Sequence, residues 1–333
     1  MSEVKNDPGG SKAGYKQAER DINKPWNPMT DGRDVLAGVI DLHIHAGGGR
    51  IDEIGLAKLA TRAGMKALVL KNWRSMSTDA ARLTNEAIEE WAARTDEHLE
   101  PVKVFGAVVL NKAVGLVNPE AVRCALLFGA KEIWFPTYSS AAHIVRKGEM
   151  SKKEAIRQKD LSYLLKGDRL IPEARDVIHL VKEHGAALSM GHAFVEEIWA
   201  VVEEARSIGL PVIIDHPHMG SQGIGIDDQI KLAKAGAFLN HMAASFIGVW
   251  GGLDANVLAE DIRKVGAEHC TLSTDLGQVE NANPVESLRA FIRQMVTSGL
   301  KQSEIDLMTR SNPAKLLGLR SSAGKGHIRT RRN

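Results

Sequence analysis

One pattern recurs eight times along this chain and restricts the folds that it can adopt. In each repeat a short apolar run ends in a polar residue, and a loop, an amphipathic stretch and a glycine turn follow. Strands that alternate with helices predict a parallel sheet with helical crossovers, and eight such units close into a (β/α)8 TIM barrel. The runs are LAGVIDL at 36–42, KALVL at 66–70, VKVFGAVVL at 102–110, EIWF at 132–135, AALSM at 186–190, PVII at 211–214, AFL at 237–239 and CTLS at 270–273.

Helix ends are marked by a glycine before many of these runs. A glycine there supplies the left-handed residue that ends a helix before a strand. An open, doubly wound sheet would use the same units, but it would not need a polar residue at the end of nearly every strand. We therefore favour the closed barrel, whose active site is formed by the loops after the strands. Helices are predicted between the runs, among them 51–63, 78–98, 195–208 and 226–235.

The composition indicates one globular domain with two peripheral segments. Residues 1–30 predict a flexible arm, residues 31–320 the barrel, and the basic residues 321–333 a disordered tail. The net charge of +2 favours neither nucleic acid nor a membrane surface as a partner. Two cysteines, and no apolar signal or membrane segment, predict a cytoplasmic protein. We also expect a homo-oligomer that acts on a small molecule.

The longest irregular connection lies between strands four and five, where residues 138–170 form a charged insert. Its length allows it to act as a lid over the strand ends. A pair of solvated surface helices explains the same charged sequence equally well. Both interpretations stay open.

The strand ends carry the residues that indicate chemistry. His43 and His45 follow the first strand, and residues two apart on a strand face the same side, so both imidazoles point to one centre. Two imidazoles in that arrangement can hold one zinc-class ion. Of the 12 histidines in the chain, six fall at strand ends, and an aspartate follows the last strand. These residues are His43, His45, His192, His216, His218, His241 and Asp275.

This arrangement resembles the amidohydrolase superfamily of metal-dependent hydrolases. The resemblance covers about residues 35–320 and includes HxH after strand one, single histidines after strands five and six, and the aspartate after strand eight. The segment NPAKLLGL at 312–319 adds to it, because members of the superfamily often close their barrel with a helix of similar sequence. From its residues alone, that segment is an Asn-Pro helix start with an apolar face.

The resemblance implies a role for each strand-end residue. His43 and His45 would bind the metal, and His192 would be a third ligand or would bind a second ion. Asp275 would be both ligand and general base, because the ion lowers the pKa of a water molecule and a nearby carboxylate accepts its proton. His216 would bind a second ion or polarise the substrate carbonyl. The implied cofactor is one or two divalent ions, zinc first, with manganese, iron or cobalt as alternatives.

Lys71 marks a departure from the superfamily pattern, in which two-metal members bridge their ions with a carboxylated lysine, usually after strand four. Strand four of this chain ends without a lysine, and Lys71, after strand two, is the only lysine at a strand end. Three interpretations of Lys71 stay open: a displaced bridging carbamate that binds metal, a cation that binds an anionic substrate, or a structural lysine paired with a carboxylate.

Further residues are assigned with alternatives. Arg74, His218 and His241 are expected to bind substrate, although a solvent-facing position for His218 and an interior position for His241 are equally compatible with the sequence. Asp215 is expected to orient His216 or to form a simple turn. The glycine run 47–49 and Arg50 would bind an anion or form a flexible turn. Ordinary helix or loop positions are expected for His98, His143, His179, His184, His269 and His327.

Three functions compete on this evidence. The first is hydrolysis of an amide, cyclic amide, lactone or ester by water that the metal activates, with Asp275 as general base. The second is non-oxidative decarboxylation on the same barrel, which needs one metal and a cation for the carboxylate. The third is a metal-stabilised binding protein without turnover, which the sequence disfavours because a structural site would not require the carboxylate of Asp275.

Overall fold

A computed structural model describes residues 34–47, 51–219 and 223–319 of the chain. The predicted arm at 1–30, the predicted tail at 321–333 and most of the glycine run with Arg50 lie outside the described residues. In the described ranges, none of the helices combines the length and the apolar character that crossing a bilayer requires.

Eight parallel strands follow one another in the order of the chain, and neighbouring strands are hydrogen-bonded. Each of the eight predicted runs contains or overlaps one of them. The third strand consists of two segments on either side of Gly106. The strands are β1 (Ile40–Ile44), β2 (Ala67–Leu70), β3 (Lys103–Phe105 and Ala107–Val109), β4 (Glu132–Trp134), β5 (Ala187–Ser189), β6 (Val212–Asp215), β7 (Phe238–Met242) and β8 (Cys270–Ser273).

The barrel closes between β1 and the end of β8. The backbone N–H of Asp275 donates to the carbonyl of His43 at 2.8 Å, and the N–H of His45 donates to the carbonyl of Leu276 at 2.9 Å. The Asp41 carboxylate adds a side-chain link to this seam by accepting the hydroxyl of Thr274 at 2.7 Å. These bonds join the first strand to the last, which confirms the predicted (β/α)8 barrel.

Two apolar layers surround the strands, as their alternating side chains require. The inner layer fills the barrel with one or two side chains from each of the first seven strands, among them Ile40, Val69 and Trp134. The outer layer packs the strands against the helices. The helices are α1 (Glu53–Arg62), α2 (Thr78–Arg94), α3 (Pro119–Leu127), α4 (Ala141–Arg146), α5 (Lys152–Ala155), α6 (Pro172–His184), α7 (Val195–Ser207), α8 (Ile226–Lys234), α9 (Ala255–Val265), α10 (Pro284–Thr297), α11 (Gln302–Asp306) and α12 (Asn312–Leu316).

The last helix covers the end of the barrel opposite the candidate site. Ala314, Leu316 and Leu317 pack against the inner apolar layer. The amide of Asn312 donates to the carbonyl of Cys270 at 2.8 Å, and Cys270 is the first residue of β8. The segment singled out for its similarity to amidohydrolase sequences therefore closes the barrel at the start of the strands.

The insert after β4 contains α4, α5 and a short hairpin of Leu165–Lys166 with Arg169–Leu170. It is fastened to the start of α7 by hydrogen bonds at several points. The buried carboxylate of Glu197 accepts the backbone N–H groups of Leu164 and Phe194, both at 2.8 Å. Burial raises the pKa of Glu197 to about 7, although the N–H groups of Leu164 and Phe194 favour the charged form. The insert is thus held along the strand ends by contacts that include the fully buried Ala141 and Ala142 of α4. The lid and the pair of surface helices both stay predictions.

Candidate metal centre

Three side chains meet at the mouth of the barrel, between its first and last strands. The Nε2 atoms of His43 and His45 each lie 3.0 Å from Oδ1 of Asp275. One ligand atom from each of the three residues lies within 4.8 Å of the other two, and all three side chains are buried. Two imidazole nitrogens and a carboxylate oxygen form a donor set that suits a zinc-class ion. The residues present therefore fit the metal that the resemblance implies.

An irregularity in β1 brings its two histidines to the same centre. The pairing register with β2 shifts between Asp41 and Ile44, as at a β-bulge. Leu42 packs in the inner apolar layer and Ile44 in the outer one, although residues two apart on a regular strand share a face. The shift therefore changes the phase of the strand, so that His43 and His45 point into the barrel mouth.

Two residues of the site have backbones in the left-handed region. His216, directly after β6, has a φ of 36°, and Asp275, two residues after β8, has a φ of 52°. Such a conformation costs a non-glycine residue of the order of 1–3 kcal/mol, and it persists only where the surrounding structure holds it. This strain at two predicted site residues is typical of a functional centre.

The second nitrogen of each β1 histidine faces an oxygen. Nδ1 of His45 lies 2.8 Å from the carbonyl of Lys71, which can only accept, so Nδ1 carries a hydrogen. Nδ1 of His43 lies 3.2 Å from Oδ1 of Asp215, an ion-pair distance rather than an aligned hydrogen bond. Asp215 thus orients His43, and our expectation that it orients His216 is not supported.

Asp215 is itself held by two donors inside the barrel. Its Oδ2 accepts the indole N–H of Trp134 at 2.6 Å, and its Oδ1 accepts the amide of Asn240 at 2.9 Å. Burial raises the pKa of Asp215, but the positive charges around it, that of His43 first, lower it by more, so that the net pKa lies below the usual range. The carboxylate behind His43 is therefore ionised and fixed in place.

The electrostatics of the three-residue cluster favour an ionised carboxylate. Burial raises the pKa of Asp275, but the charge of His43 and the hydrogen bonds of His43 and His45 hold it well below its usual range. Burial and Lys71 lower the pKa of His43, whereas the carboxylates of Asp275 and Asp215 raise it to about 9. Burial lowers the pKa of His45. Asp275 is therefore an anion when no metal is bound.

Lys71 lies beside the cluster, at the end of β2. Its Nζ is 2.8 Å from Nε2 of His43 and 5.5 Å from the centre of the Trp134 ring, and the residue is 6% exposed. Burial lowers its pKa. In the described part of the chain no carboxylate oxygen lies within 4.0 Å of Nζ, so the interpretation as a structural lysine paired with a carboxylate has no support.

Five histidines form an arc around the barrel mouth. From His43 the ring centres continue to His216 at 6.0 Å, from there to His192 at 5.0 Å and on to His143 at 4.8 Å, while His45 lies 5.5 Å from His43 on the other side. His216 therefore lies beside the cluster and His192 beside His216, and the metal-binding roles of both stay predictions because the three ligand atoms that lie close together belong to His43, His45 and Asp275. His143 was expected to be an ordinary helix residue, and that expectation is wrong, because α4 of the insert brings it to the arc.

The arc borders a cavity of about 750 Å³ at the strand ends. This volume suits a small molecule. Trp73, Tyr138 and Trp250 supply aromatic faces. The cations on the described lining are Lys71, Arg146 and Lys147, and its carboxylates are Asp275 and Glu280. A bound divalent ion would add to the positive charge, so the cavity favours an anionic molecule.

The remaining predicted substrate residues divide into two groups. Lys71 and His218 line the cavity. Arg74 is exposed, with its guanidinium 5.8 Å from the Trp73 ring, and it lies outside the described cavity lining. His241 is 1% exposed and also lies outside that lining. Arg74 contacts the lining residues Trp73 and Tyr138, so its assignment to substrate binding stays a prediction. For His241 the geometry gives that assignment no support.

His241 faces away from the cavity because β7 continues through it. The preceding side chain, Asn240, points inward to Asp215, so alternation turns His241 toward the helices. Its ring lies 5.4 Å from that of His218, and Nδ1 of His218 is 3.9 Å from Oδ2 of Asp261 on α9. Neither ring nitrogen of His241 has a hydrogen-bond partner among the described residues.

Comparison with solved structures identifies the class of fold. A Xaa-Pro dipeptidase with methionine bound in its active site is similar at a TM-score of 0.52 and 15% identity, over 85% of this chain and 75% of that chain. An amidohydrolase is similar at a TM-score of 0.51 and 15% identity, over 89% of this chain and 79% of that chain. At this identity the likeness shows the fold alone, and the chain shares the fold of these two proteins.

The sequence also matches one family model. Residues 38–240, more than half of the chain, match the family of unknown function DUF6282, and the chain belongs to that family. Comparison with curated proteins gave no match. The matched range contains β1 to most of β7, and thus every arc histidine, but it stops before Asp275.

Proposed function

We propose that this protein is a metal-dependent hydrolase that cleaves an amide, cyclic amide, lactone or ester bond of a small molecule. One observation carries the proposal: the Nε2 atoms of His43 and His45 both lie 3.0 Å from Oδ1 of Asp275, at the edge of a cavity of about 750 Å³. Two imidazoles and an ionised carboxylate at the strand ends of such a barrel are the groups that metal-assisted hydrolysis needs.

His43, His45 and Asp275 would hold the ion, and His192 and His216 are proposed as further ligands. A divalent ion at this position would lower the pKa of water toward neutrality and polarise the bond to be cleaved. The donor set favours zinc, with manganese, iron and cobalt as the alternatives. The acidic Asp275 is an anion, so its carboxylate is able to accept the proton of the attacking water.

The neighbouring residues would bind and orient the substrate. Burial lowers the pKa of His216 to about 4, although Asp275 and Asp215 act to raise it, so its imidazole is neutral near pH 7. A neutral imidazole can donate an N–H to a substrate oxygen that gains negative charge. Lys71 and His218 line the same cavity and would contact the substrate. The cations Arg146 and Lys147 favour a substrate with an acidic group.

Non-oxidative decarboxylation is the second candidate, and the position of Lys71 favours it. A buried amine 2.8 Å from His43 is suitably placed to bind a substrate carboxylate next to an ion. Among the described residues only one group of three ligands is close enough to hold an ion, and one ion is sufficient for this reaction. The product distinguishes the two reactions, since decarboxylation releases CO2 and hydrolysis adds water without loss of carbon.

The first experiment is to measure the metal content of protein purified without chelators, for the wild type, Lys71→Ala and the control Lys131→Ala. Two ions per chain that fall to one or none only in Lys71→Ala would support a carbamate bridge on Lys71 and hydrolysis. One ion in all three proteins would leave Lys71 for substrate binding and keep decarboxylation as a candidate. No ion in any of them, even after incubation with zinc, manganese or cobalt, would overturn the proposal.

A further inference from the structure

We propose that His143, which the insert carries, is a positioning residue of the metal centre and fixes the tautomer and orientation of His192. The inference rests on the proposed function, in which His192 is a ligand. Nδ1 of His143 lies 2.8 Å from Nδ1 of His192, and the two ring planes differ by 21°. The ring centres are 4.8 Å apart, so the two nitrogens lie between the rings, which meet edge to edge. This is the geometry of an N–H···N hydrogen bond.

A hydrogen bond between two imidazole nitrogens needs one donor and one acceptor. His192 can offer a lone pair from Nε2 only if its hydrogen is on Nδ1, and Nδ1 of His143 must then accept it. The hydrogen of neutral His143 is consequently on its own Nε2. A metal-binding histidine usually gives its second N–H to a carboxylate or a carbonyl. In this chain the imidazole of His143 takes that place.

The fold holds both rings where they meet. The backbone N–H of His192 donates to the carbonyl of Pro136 at 3.0 Å. The preceding Gly191 approaches the strand end so closely that a Cβ there would lie 2.2 Å from the carbonyl oxygen of Phe135. On the other side, the hydroxyl of Ser140 caps α4 by accepting the backbone N–H of His143 at 3.1 Å.

Two further contacts tie α4 to the segment that carries His192. The guanidinium of Arg146 donates to the carbonyl of Ala193, the residue after His192, at 2.9 Å. Arg146 also lies over the ring of Phe194, at 5.8 Å from its centre. One turn of α4 therefore contacts three consecutive residues, 192–194. By this geometry α4 of the insert packs against the proposed metal centre and supplies His143 to it.

The test compares two substitutions of His143, of which one should weaken zinc binding and the other should leave it nearly unchanged. His143→Leu keeps much of the volume but removes the acceptor, whereas His143→Asn places an amide oxygen near the position of Nδ1. We expect His143→Leu to weaken zinc binding about 10- to 100-fold, the usual effect of losing such a partner, and His143→Asn to stay within about threefold of the wild type. Zinc affinity is measured by competition with a chromophoric chelator, and thermal unfolding confirms that the variants are folded.

Two controls separate this inference from the proposed function. His179→Leu changes an exposed histidine on α6 and should leave zinc affinity unchanged. His43→Ala should abolish tight binding. Wild-type affinity in His143→Leu, together with loss in His43→Ala, would overturn only the role of His143. Wild-type affinity in both variants would overturn the metal centre as well.

A measurement on the unsubstituted protein covers the case in which His143→Leu does not fold. In the zinc-loaded protein labelled with ¹⁵N-histidine, NMR shifts report which ring nitrogen carries hydrogen. We expect a protonated Nδ1 and a metal-type Nε2 for His192, and an unprotonated Nδ1 for His143. An unprotonated Nδ1 on His192 would overturn the assignment.

Discussion

The partner of the second ring nitrogen determines what each site histidine can do. His45 gives its Nδ1 hydrogen to a carbonyl, His43 faces a carboxylate, and His192 meets another imidazole. These partners differ in charge, and a carboxylate makes the opposite nitrogen the most basic of the three. The ring that faces Asp215 is therefore expected to be the strongest donor to an ion.

This argument predicts that Asp215→Asn weakens zinc binding by about 10- to 100-fold, because His43 loses the charge behind it. The substitution also places an amide nitrogen or the amide oxygen against the indole N–H of Trp134, which now donates to Oδ2 of Asp215 at 2.6 Å. Some loss of stability is expected as well, so affinity is measured by chelator competition at a temperature well below the unfolding transition.

Glu132→Gln is the control for an acid-to-amide substitution at a second buried position in the barrel. Glu132 is also fully buried in β4, where its Oε1 accepts the hydroxyl of Ser189 at 2.6 Å, and burial raises its pKa well above the usual range, which favours the uncharged acid. Its zinc affinity should stay within about threefold of the wild type. Equal weakening in both variants would mean that zinc binding responds to any substitution of a buried acid in the barrel, rather than to the contact with His43.

His241 gives a prediction about pH. Burial, followed by the charge of His218, lowers its pKa well below the ordinary value of 6.5. The unfolded chain therefore takes up a proton at this residue below pH 6.5 while the folded chain does not. The free energy of unfolding consequently falls as the pH falls. Between about pH 7.5 and about pH 5.5 this residue should cost roughly 1 kcal/mol of stability.

His241→Leu removes the titratable group, and with it this pH-dependent cost, and places an apolar side chain of similar size in the same position. We expect the free energy of unfolding to fall less in the variant than in the wild type over the same pH change, as measured by urea denaturation at both values. His269→Leu, at a histidine whose ring lies 5.6 Å from Phe238, serves for comparison. An identical pH dependence in His241→Leu and the wild type would contradict the assignment of a neutral, buried imidazole.

At the scale of secondary structure, the positions of the strands were predictable, but the length of β7, and with it the direction of the His241 side chain, was not. A short apolar run that ends in a polar residue, in most cases after a glycine turn, predicts a buried parallel strand, and all eight such runs form strands. The run at 237–239 predicted a strand that ends before His241, but β7 continues to Met242. Those extra residues turn His241 outward, because each step along a strand changes the face of the side chain.

The insert could not be predicted to supply a site residue. The spacing of His143, Arg146 and Lys147 resembles that of any charged surface helix, and the sequence contains no local signal for what α4 packs against. Its position follows from tertiary contacts, such as that of Arg146 with Ala193, which join residues distant in the chain. The strand-end histidines were predictable because parallel strands of a barrel all end on the same side.

The loop after β8 is the element whose substitution should most disturb the centre. Gly277 has a φ of 128°, and a Cβ at this position would lie 1.9 Å from the carbonyl oxygen of His45. Gly277→Ala should therefore displace the loop that carries Asp275 from β1. We expect a loss of more than about 3 kcal/mol in unfolding free energy, together with loss of zinc binding.

Gly236→Ala separates backbone strain from this steric conflict. Gly236 also has a positive φ, 97°, but a Cβ there would meet no atom within 4 Å. Its substitution should cost only about 1–2 kcal/mol and leave zinc affinity unchanged. Stability and affinity are compared by urea denaturation and chelator competition, and equal effects of the two substitutions would argue against a close contact between the loop and His45.

For the whole molecule, the candidate centre lies on the seam where the barrel closes. His43 and His45 come from the first strand and Asp275 from the end of the last, so one ion would join residues more than 200 positions apart in the chain. The same seam is held by backbone bonds from Asp275 to His43 and from His45 to Leu276. The unfolded chain does not bring these ligands together, so an ion that binds there would stabilise the folded barrel as a whole.

The ion is therefore expected to stabilise the fold as a unit. Zinc at about 100 times its dissociation constant should add about 2.7 kcal/mol to the free energy of unfolding, which for a chain of 333 residues corresponds to a rise in Tm of roughly 4 °C. Chelator-treated protein is heated with and without zinc, and one cooperative transition should move. Asp275→Ala, which removes the ligand on the β8 side of the seam, should abolish the shift. A shift of equal size in that variant would place the stabilising ion elsewhere, because only an ion that joins β1 to Asp275 depends on that carboxylate.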